Sequence, residues 1–215
     1  MWRKDPSSTR TSLLEAGALV FAERGFEGAR VGDIARRARV NKAMINYHFG
    51  GKEALYRAIL ASTFEPALER FRALRDSKLS PPDQLREFVS AFAEMVASRP
   101  GFPAMILQEA LSGGRHLDEQ AVPYFLSIFS VVREIVDRGV REKAFREVDP
   151  FLTHQGLIGS LVFFFAIAPF RRRLISEGRA PLAEPAAGDF VRHIQDLMTR
   201  ALATEAGIPP ATGGR

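Results

Sequence analysis

The chain of 215 residues contains no cysteine, which removes disulfides, thiolate nucleophiles and cysteine-ligated zinc together. Histidine is scarce: His48, His116, His154 and His193 are the full set, and none lies at the close spacing by which a helix or loop gathers metal ligands. The sequence also lacks a G-x-S-x-G elbow, a P-loop and a glycine-rich dinucleotide fingerprint. No catalytic residue, metal or cofactor is therefore expected, and the chain does not read as an enzyme. Long hydrophobic runs are missing too. The longest, LIGSLVFFFAIAPF from Leu157 to Phe170, falls short of the roughly 20 residues that span a bilayer. The opening MWRKDPSSTR has no apolar signal-peptide stretch, so a cytoplasmic protein with no membrane partner is expected.

What is present is enough apolar material for a real core, 46% hydrophobic residues, and a charge distributed unevenly. Residues 1–60 hold 11 Lys and Arg against 6 Asp and Glu, whereas residues 61–215 hold 19 of each. The whole net charge of +5 thus lies in the first segment, which suggests a basic module facing a polyanion, joined to a neutral module with another task.

Apolar residues recur at helical spacing almost throughout, and no segment alternates with the period of a strand. The expected fold is all-α, with about nine helices. A first helix should end at Gly25. A short second helix over Val31–Ala38 turns Ile34, Ala35 and Ala38 inward. Asn41 should cap a third helix anchored by Ile45 and Phe49, closed by Gly50 and Gly51. A fourth helix from Lys52 connects the modules and contains Pro66. Ser80 caps a fifth, a sixth runs from Ala104 to Leu111, a seventh starts near Asp118, an eighth runs from Pro150 to about Arg173, and a last one from Ala186 to about Ala206. These divisions give a DNA-binding domain over 1–52, a ligand-binding and dimerisation domain over 53–207, and a disordered tail over 208–215.

Two short amphipathic helices separated by Arg39, Val40 and Asn41 have helix-turn-helix spacing. Because the second of them hides Ile45 and Phe49, Lys42, Ala43 and Asn46 are left to address base edges in a major groove. Arg30, Tyr47, His48 and Lys52 are placed to grip phosphates. A helical corner that only packs is the competing reading.

The stretch VGDIARRARVNKAMINYHFGGKEALY, preceded by LLEAGALVFAERGFEG, resembles the N-terminal domain of the TetR family of bacterial transcriptional regulators. Phe21, Gly25, Phe26, Val31, Asp33, Ile34, Ala35, Ala38, Val40, Ile45, His48, Phe49, Lys52 and Leu55 carry the likeness. The resemblance implies a homodimer on a palindromic double-stranded DNA operator, usually repressing, that is released when a small molecule enters the C-terminal domain. Three positions depart from the family pattern. Arg39 stands where glycine is common, which suits only a backbone that avoids strongly left-handed geometry. Arg30 replaces a frequent capping threonine. Asn46 replaces a frequent aromatic.

In the second module, Phe88, Phe92, Met95, Phe102 and Met105 suggest an apolar ligand pocket. Tyr124, Phe125, Phe129 and Phe163 would extend it, with Gln108, Glu109 and His154 as polar handles. An aromatic stripe serves equally as plain core. Toward the C-terminus, Gly156, Gly159, Ser160 and Phe164 form one stripe, and Ile194, Leu197 and Met198 form another; these either build a four-helix dimer interface or complete the monomer core. The function expected from these residues is a ligand-responsive DNA-binding regulator, most simply a repressor released by a small apolar or aromatic effector. The rival is a helical small-molecule binding protein whose N-terminal module contacts protein and not specific DNA.

Overall fold

A computed structural model of the chain describes residues 6–181 and 183–204; the expected tail lies outside the described residues. Within them the chain forms ten helices and no strand, with only an isolated bridge between Phe145 and Ala203. The all-α expectation therefore holds. Helix α1 (Pro6–Gly28) contains a break at Gly25, where φ is 66° and ψ 175°, and α2 (Val31–Ala38), α3 (Ala43–Phe49) and α4 (Lys52–Arg75) follow. Pro66 sits inside α4 without ending it, although it removes the amide that would bond the Ser62 carbonyl.

Helix α5 (Pro81–Ala97) begins as its sequence predicts, with the Ser80 hydroxyl accepting from the Asp83 amide at 3.3 Å. α6 (Phe102–Leu111) follows a tight turn at Gly101, whose φ is 84°. A Cβ there would lie 3.0 Å from the Ala18 carbonyl oxygen and from Leu19 Cα. Glycine is thus what lets α6 start against the backbone of α1.

α7 (Val122–Arg141) starts four residues later than expected from Asp118. Pro123 lies in the first turn of α7, where its missing amide costs no helical hydrogen bond. The Asp118 carboxylate instead accepts from the Gln120 and Ala121 amides, each at 3.1 Å.

The predicted eighth helix is two. α8 (Pro150–Ala166), capped by Asp149 accepting from the Leu152 amide at 2.9 Å, meets α9 (Ala168–Ser176) at a 47° bend. Pro169 supplies the reason, since its ring cannot donate and clashes with the carbonyl of residue 165. α10 (Ala187–Leu202) closes the chain. Near its end, the Arg146 amide donates to Leu202 at 2.9 Å and the Phe145 ring lies over Gly139, where any Cβ would fall 2.0 Å from a ring carbon.

The buried side chains form one contiguous cluster from Leu13 in α1 to Leu202 in α10. α2 packs on α1, α1 and α3 pack on α4, and α4 also packs against α5 and α7. No single helix among the described residues is long and apolar enough to cross a membrane.

Candidate nucleic-acid interface and cavity

The helix-turn-helix is built by backbone geometry more than by side-chain caps. Arg30, at φ −105° and ψ 137°, precedes α2 without a side-chain cap. At the other end, the Val40 amide donates to Ala35 at 3.0 Å and the Arg39 amide to Arg36 at 3.1 Å, the paired bonds of a Schellman closure. That closure requires a left-handed residue, and Arg39 supplies it at φ 57° and ψ 45°. The expectation that Arg39 avoids this region is thus incorrect: burying Val40 against the core and closing α2 require it. The Asn41 carboxamide then accepts from the Ala43 amide at 2.9 Å, which starts α3.

Ile45 is fully buried, with Met44 and Phe49 packed beside it. That anchoring leaves Lys42, Ala43, Asn46 and Tyr47 exposed on the outer face of α3, Tyr47 at 78%. Two of the expected phosphate contacts are placed differently from the rest. Lys52 turns inward, donating to the carbonyls of Phe26 at 3.1 Å and Ala29 at 3.5 Å, with its ammonium 4.3 Å from the Phe26 ring centre. His48 is half-buried, and its Nε2 is enclosed without a hydrogen-bond partner among the described residues. Arg10, which periodicity did not single out, sits 5.4 Å from the Phe49 ring and brings a further cation to the base of α3. Around α2, Asp33 pairs with Arg24 and with Arg36, and Arg37 with Glu23 at 2.6 Å. Arg30 and Arg39 stay exposed beside them.

A cavity of about 370 Å³ lies between α4, α5, α6, α7 and α8. Of the expected pocket residues, Phe92, Met95, Phe102, Phe125 and His154 line it. The others lie elsewhere, and helix geometry says why. Phe88 packs wholly within the core, its ring 4.9 Å from Phe71 and 6.0 Å from Phe92. Phe129 stands behind the wall, edge-on to His154 at 5.3 Å. Phe163 follows Val162, which does line the cavity, and one step around the helix leaves it 55% exposed. Tyr124 stacks on Phe64 and donates to Glu65 at 2.9 Å over a separate shallow recess. Sequence reading missed Phe64, Ile106, Leu107, Ile158 and Val162; the 3–4 spacing of Phe102, Ile106 and Ala110 in α6 was the available signal.

Met105, Gln108 and Glu109 occupy the opposite face of α6, against α1 and α4. There the Gln108 amide donates to the Ala22 carbonyl at 2.5 Å. The buried Glu109 carboxylate accepts from the Tyr56 hydroxyl at 2.8 Å, from the His116 amide at 2.8 Å, and faces His116 Nδ1 at 3.0 Å. The other imidazole nitrogen lies 3.1 Å from Glu27 of α1, and the ring stacks on Phe26 at 4.3 Å. Burial pushes the Glu109 carboxyl up, but the His116 amide, the Tyr56 hydroxyl and the His116 ring together hold it below its ordinary value. Burial, reinforced by Glu109, drives Tyr56 far above the usual phenol range.

The proposed dimer stripe divides between inside and outside. Phe164 is buried, stacked on Phe190 at 3.9 Å, and Ile194 is buried beside α5. Ser160 donates to the Gly156 carbonyl at 2.6 Å, and Met198 approaches Gly156. Gly156, Gly159 and Leu197 are exposed, as are Leu152 and Phe163.

Comparison with known proteins agrees with this architecture. Residues 13–59 match the domain described as bacterial regulatory proteins, tetR family, and residues 81–197 match the tetracyclin repressor-like C-terminal domain. The chain is 32% identical over 198 residues to the HTH-type transcriptional repressor NicS of Pseudomonas putida, covering 90% of this chain and 92% of that protein. It is 25% identical to the HTH-type transcriptional repressor SCO4008 of Streptomyces coelicolor, over 83% and 88% of the two chains. Among solved structures, HlyIIR, a hemolysin II transcriptional regulator, aligns with a TM-score of 0.64 at 25% identity, covering 94% of this chain and all of that one. The regulator PfmR of Thermus thermophilus shares the fold, with a TM-score of 0.67 at 24% identity over 89% and 96% of the chains. Two matched domains that together take in the reading head and most of the cavity-bearing helices place the chain in the TetR family of bacterial regulatory proteins.

Proposed function

We propose that this chain is a ligand-responsive repressor that binds a palindromic DNA operator as a homodimer and releases it when a small apolar or aromatic effector fills the cavity. The observation that carries this reading is the position of α6. One face, with Phe102, Ile106 and Ala110, lines the cavity, and the other, with Gln108 and Glu109, is hydrogen-bonded to α1 and α4 of the reading-head module. An effector that favours a different seating of α6 therefore favours a different seating of the reading head.

Within that reading, Lys42, Ala43 and Asn46 address bases, because they are the exposed face of α3, and Tyr47 and Arg30 hold phosphates. Lys52 contributes mainly by fixing the start of α4 against the α1–α2 corner, with one ammonium proton left for a phosphate. The division into residues 1–52 and 53–207 is functional and is not a break in packing, since α4, which begins there, packs against α1 and α3 as well as α5 and α7. One seven-residue recognition helix reads too few bases for useful discrimination. The exposed stripe of Leu152, Gly156, Gly159, Phe163 and Leu197 supports pairing through α8 and α10, which would set two reading heads roughly 34 Å apart.

Binding of the purified protein to the intergenic DNA upstream of its own gene tests the proposal, with Asn46→Ala and Tyr47→Ala measured at several salt concentrations. The first should flatten preference among related sequences; the second should weaken binding to all of them. Sequence-independent binding by the unaltered protein would leave the rival, a ligand-binding module that docks on protein.

A further inference from the structure

Resting on the reading of the cavity as the effector site, we propose that the effector is an uncharged two-ring-sized molecule bearing one hydrogen-bonding group that His154 holds. The cavity of about 370 Å³ has walls of phenylalanine, methionine, leucine, isoleucine and valine, and no Lys, Arg, Asp or Glu lines it. Among the residues lining it, only His154 and Gln155 carry polar side chains, and Gln155 is exposed. His154 is therefore the polar group within.

The His154 Nδ1 has no hydrogen-bond partner among the described residues and is covered by neighbouring atoms, so the imidazole must turn about its Cβ–Cγ bond to offer it to a molecule in the cavity. A polar atom left this way costs about 1–3 kcal/mol and is rare enough in folded proteins to require a reason. Burial also pushes the imidazole below its ordinary value of 6.5, so the ring is neutral at pH 7. A neutral imidazole has one donor and one acceptor, which matches a hydroxyl. It does not match a carboxylate, which would leave water for an apolar wall without a cation to meet it. The Phe129 ring packs edge-on to the imidazole at 5.3 Å. Charge is thus excluded by the walls and polarity is admitted at one point.

Three probes of one shape, naphthalene, 2-naphthol and 2-naphthoate, separate these demands by calorimetric titration of the full-length protein at pH 7.5. Expected is tightest binding by 2-naphthol, about tenfold over naphthalene for one restored hydrogen bond, with 2-naphthoate weakest. His154→Phe should bring 2-naphthol down to parity with naphthalene while leaving naphthalene within about twofold, because the apolar wall is kept. Val162→Trp, which fills the cavity from a position eight residues along α8 from His154, should abolish all three.

Tightest binding by 2-naphthoate, or an undiminished 2-naphthol preference in His154→Phe, overturns the ligand class and leaves the effector-site reading standing. Binding of the probes that survives Val162→Trp, or no binding of any probe by the unaltered protein, overturns both.

Discussion

Tyr56→Phe isolates one hydrogen bond across the boundary between the reading head and α6. The ring is 2% exposed and packs edge-on to Phe21 at 5.0 Å and to Phe26 at 5.2 Å, contacts that phenylalanine keeps. Only the hydroxyl that donates to Glu109 at 2.8 Å is lost. Its acceptor is a carboxylate 4% exposed, so the bond is charge-assisted and the abandoned lone pair cannot turn to water. The expected loss is about 1.5–3 kcal/mol, against about 1 kcal/mol for an ordinary exposed pair. Urea unfolding at fixed protein concentration, needed because dimerisation contributes to apparent stability, should show a lower midpoint with an unchanged slope.

Glu109→Gln completes a double-mutant cycle: the coupling between the two changes should reach about 1 kcal/mol or more. The pH dependence has a definite sign. Glu109 titrates below its ordinary value of 4.5 in the folded chain, so the unfolded chain takes up the proton first. Its contribution is complete above pH 4.5 and is lost as pH falls through the folded value. Tyr56→Phe, by removing one donor, should shrink that acid-sensitive contribution. A loss below about 0.5 kcal/mol, or strict additivity with Glu109→Gln, would refute the account of this contact as a buried, charge-assisted bond.

Arg39→Gly should stabilise the protein by about 0.5–1 kcal/mol, since φ 57° strains any residue with a Cβ; a lower melting temperature would contradict this. Arg30→Ser should add about 1 kcal/mol by capping α2, while reducing the salt slope of operator binding by about one; if both quantities stay fixed, Arg30 has neither role. Gly101→Ala combines a φ of 84° with contacts of 3.0 Å to the α1 backbone and should cost about 1–3 kcal/mol, read from the urea midpoint. His154→Phe should remove part of the acid lability that begins below pH 6.5, where the unfolded chain protonates this histidine and the folded chain resists; identical stability profiles from pH 7.5 to 5 would show that the ring is not held neutral.

The elements whose limits depend on local chemistry were legible in sequence. Ser80 and Asn41 each accept the backbone amide that their position implied, and Asp149 does the same ahead of Pro150. The limits that failed were set by proline, at Pro123 and Pro169, where a periodic apolar pattern continues through a point that the backbone cannot. The reading head was legible because two inward anchors, Ile45 and Phe49, determine what the rest of a seven-residue helix must expose. The cavity was legible only in character. Periodicity says that Phe88 and Phe92 are inside; which of them borders empty space depends on how five helices meet, and that is a property of tertiary packing. Lys52 turned inward for a similar reason: a basic residue at a helix start reads as a phosphate ligand until the carbonyls of Phe26 and Ala29 are seen beside it.

The two faces of α6 also limit how strongly effector and operator can oppose one another. Reseating this helix breaks, at most, the Gln108–Ala22 bond, the Tyr56–Glu109 bond and the His116–Glu27 contact. The first is an ordinary hydrogen bond and the second is charge-assisted, together about 2.5–4 kcal/mol. The third adds little, because Glu27 is 84% exposed. Coupling through α6 is therefore capped near a thousandfold change in operator affinity, just above the common range of about 1–3 kcal/mol. Because apolar contacts between α1 and α6 persist through a small shift, the realised value should lie below the cap. An effector that weakened operator binding by far more than a thousandfold would have to act through a second route, and the exposed α8–α10 stripe, proposed above to pair two copies of the chain, is where that route would run.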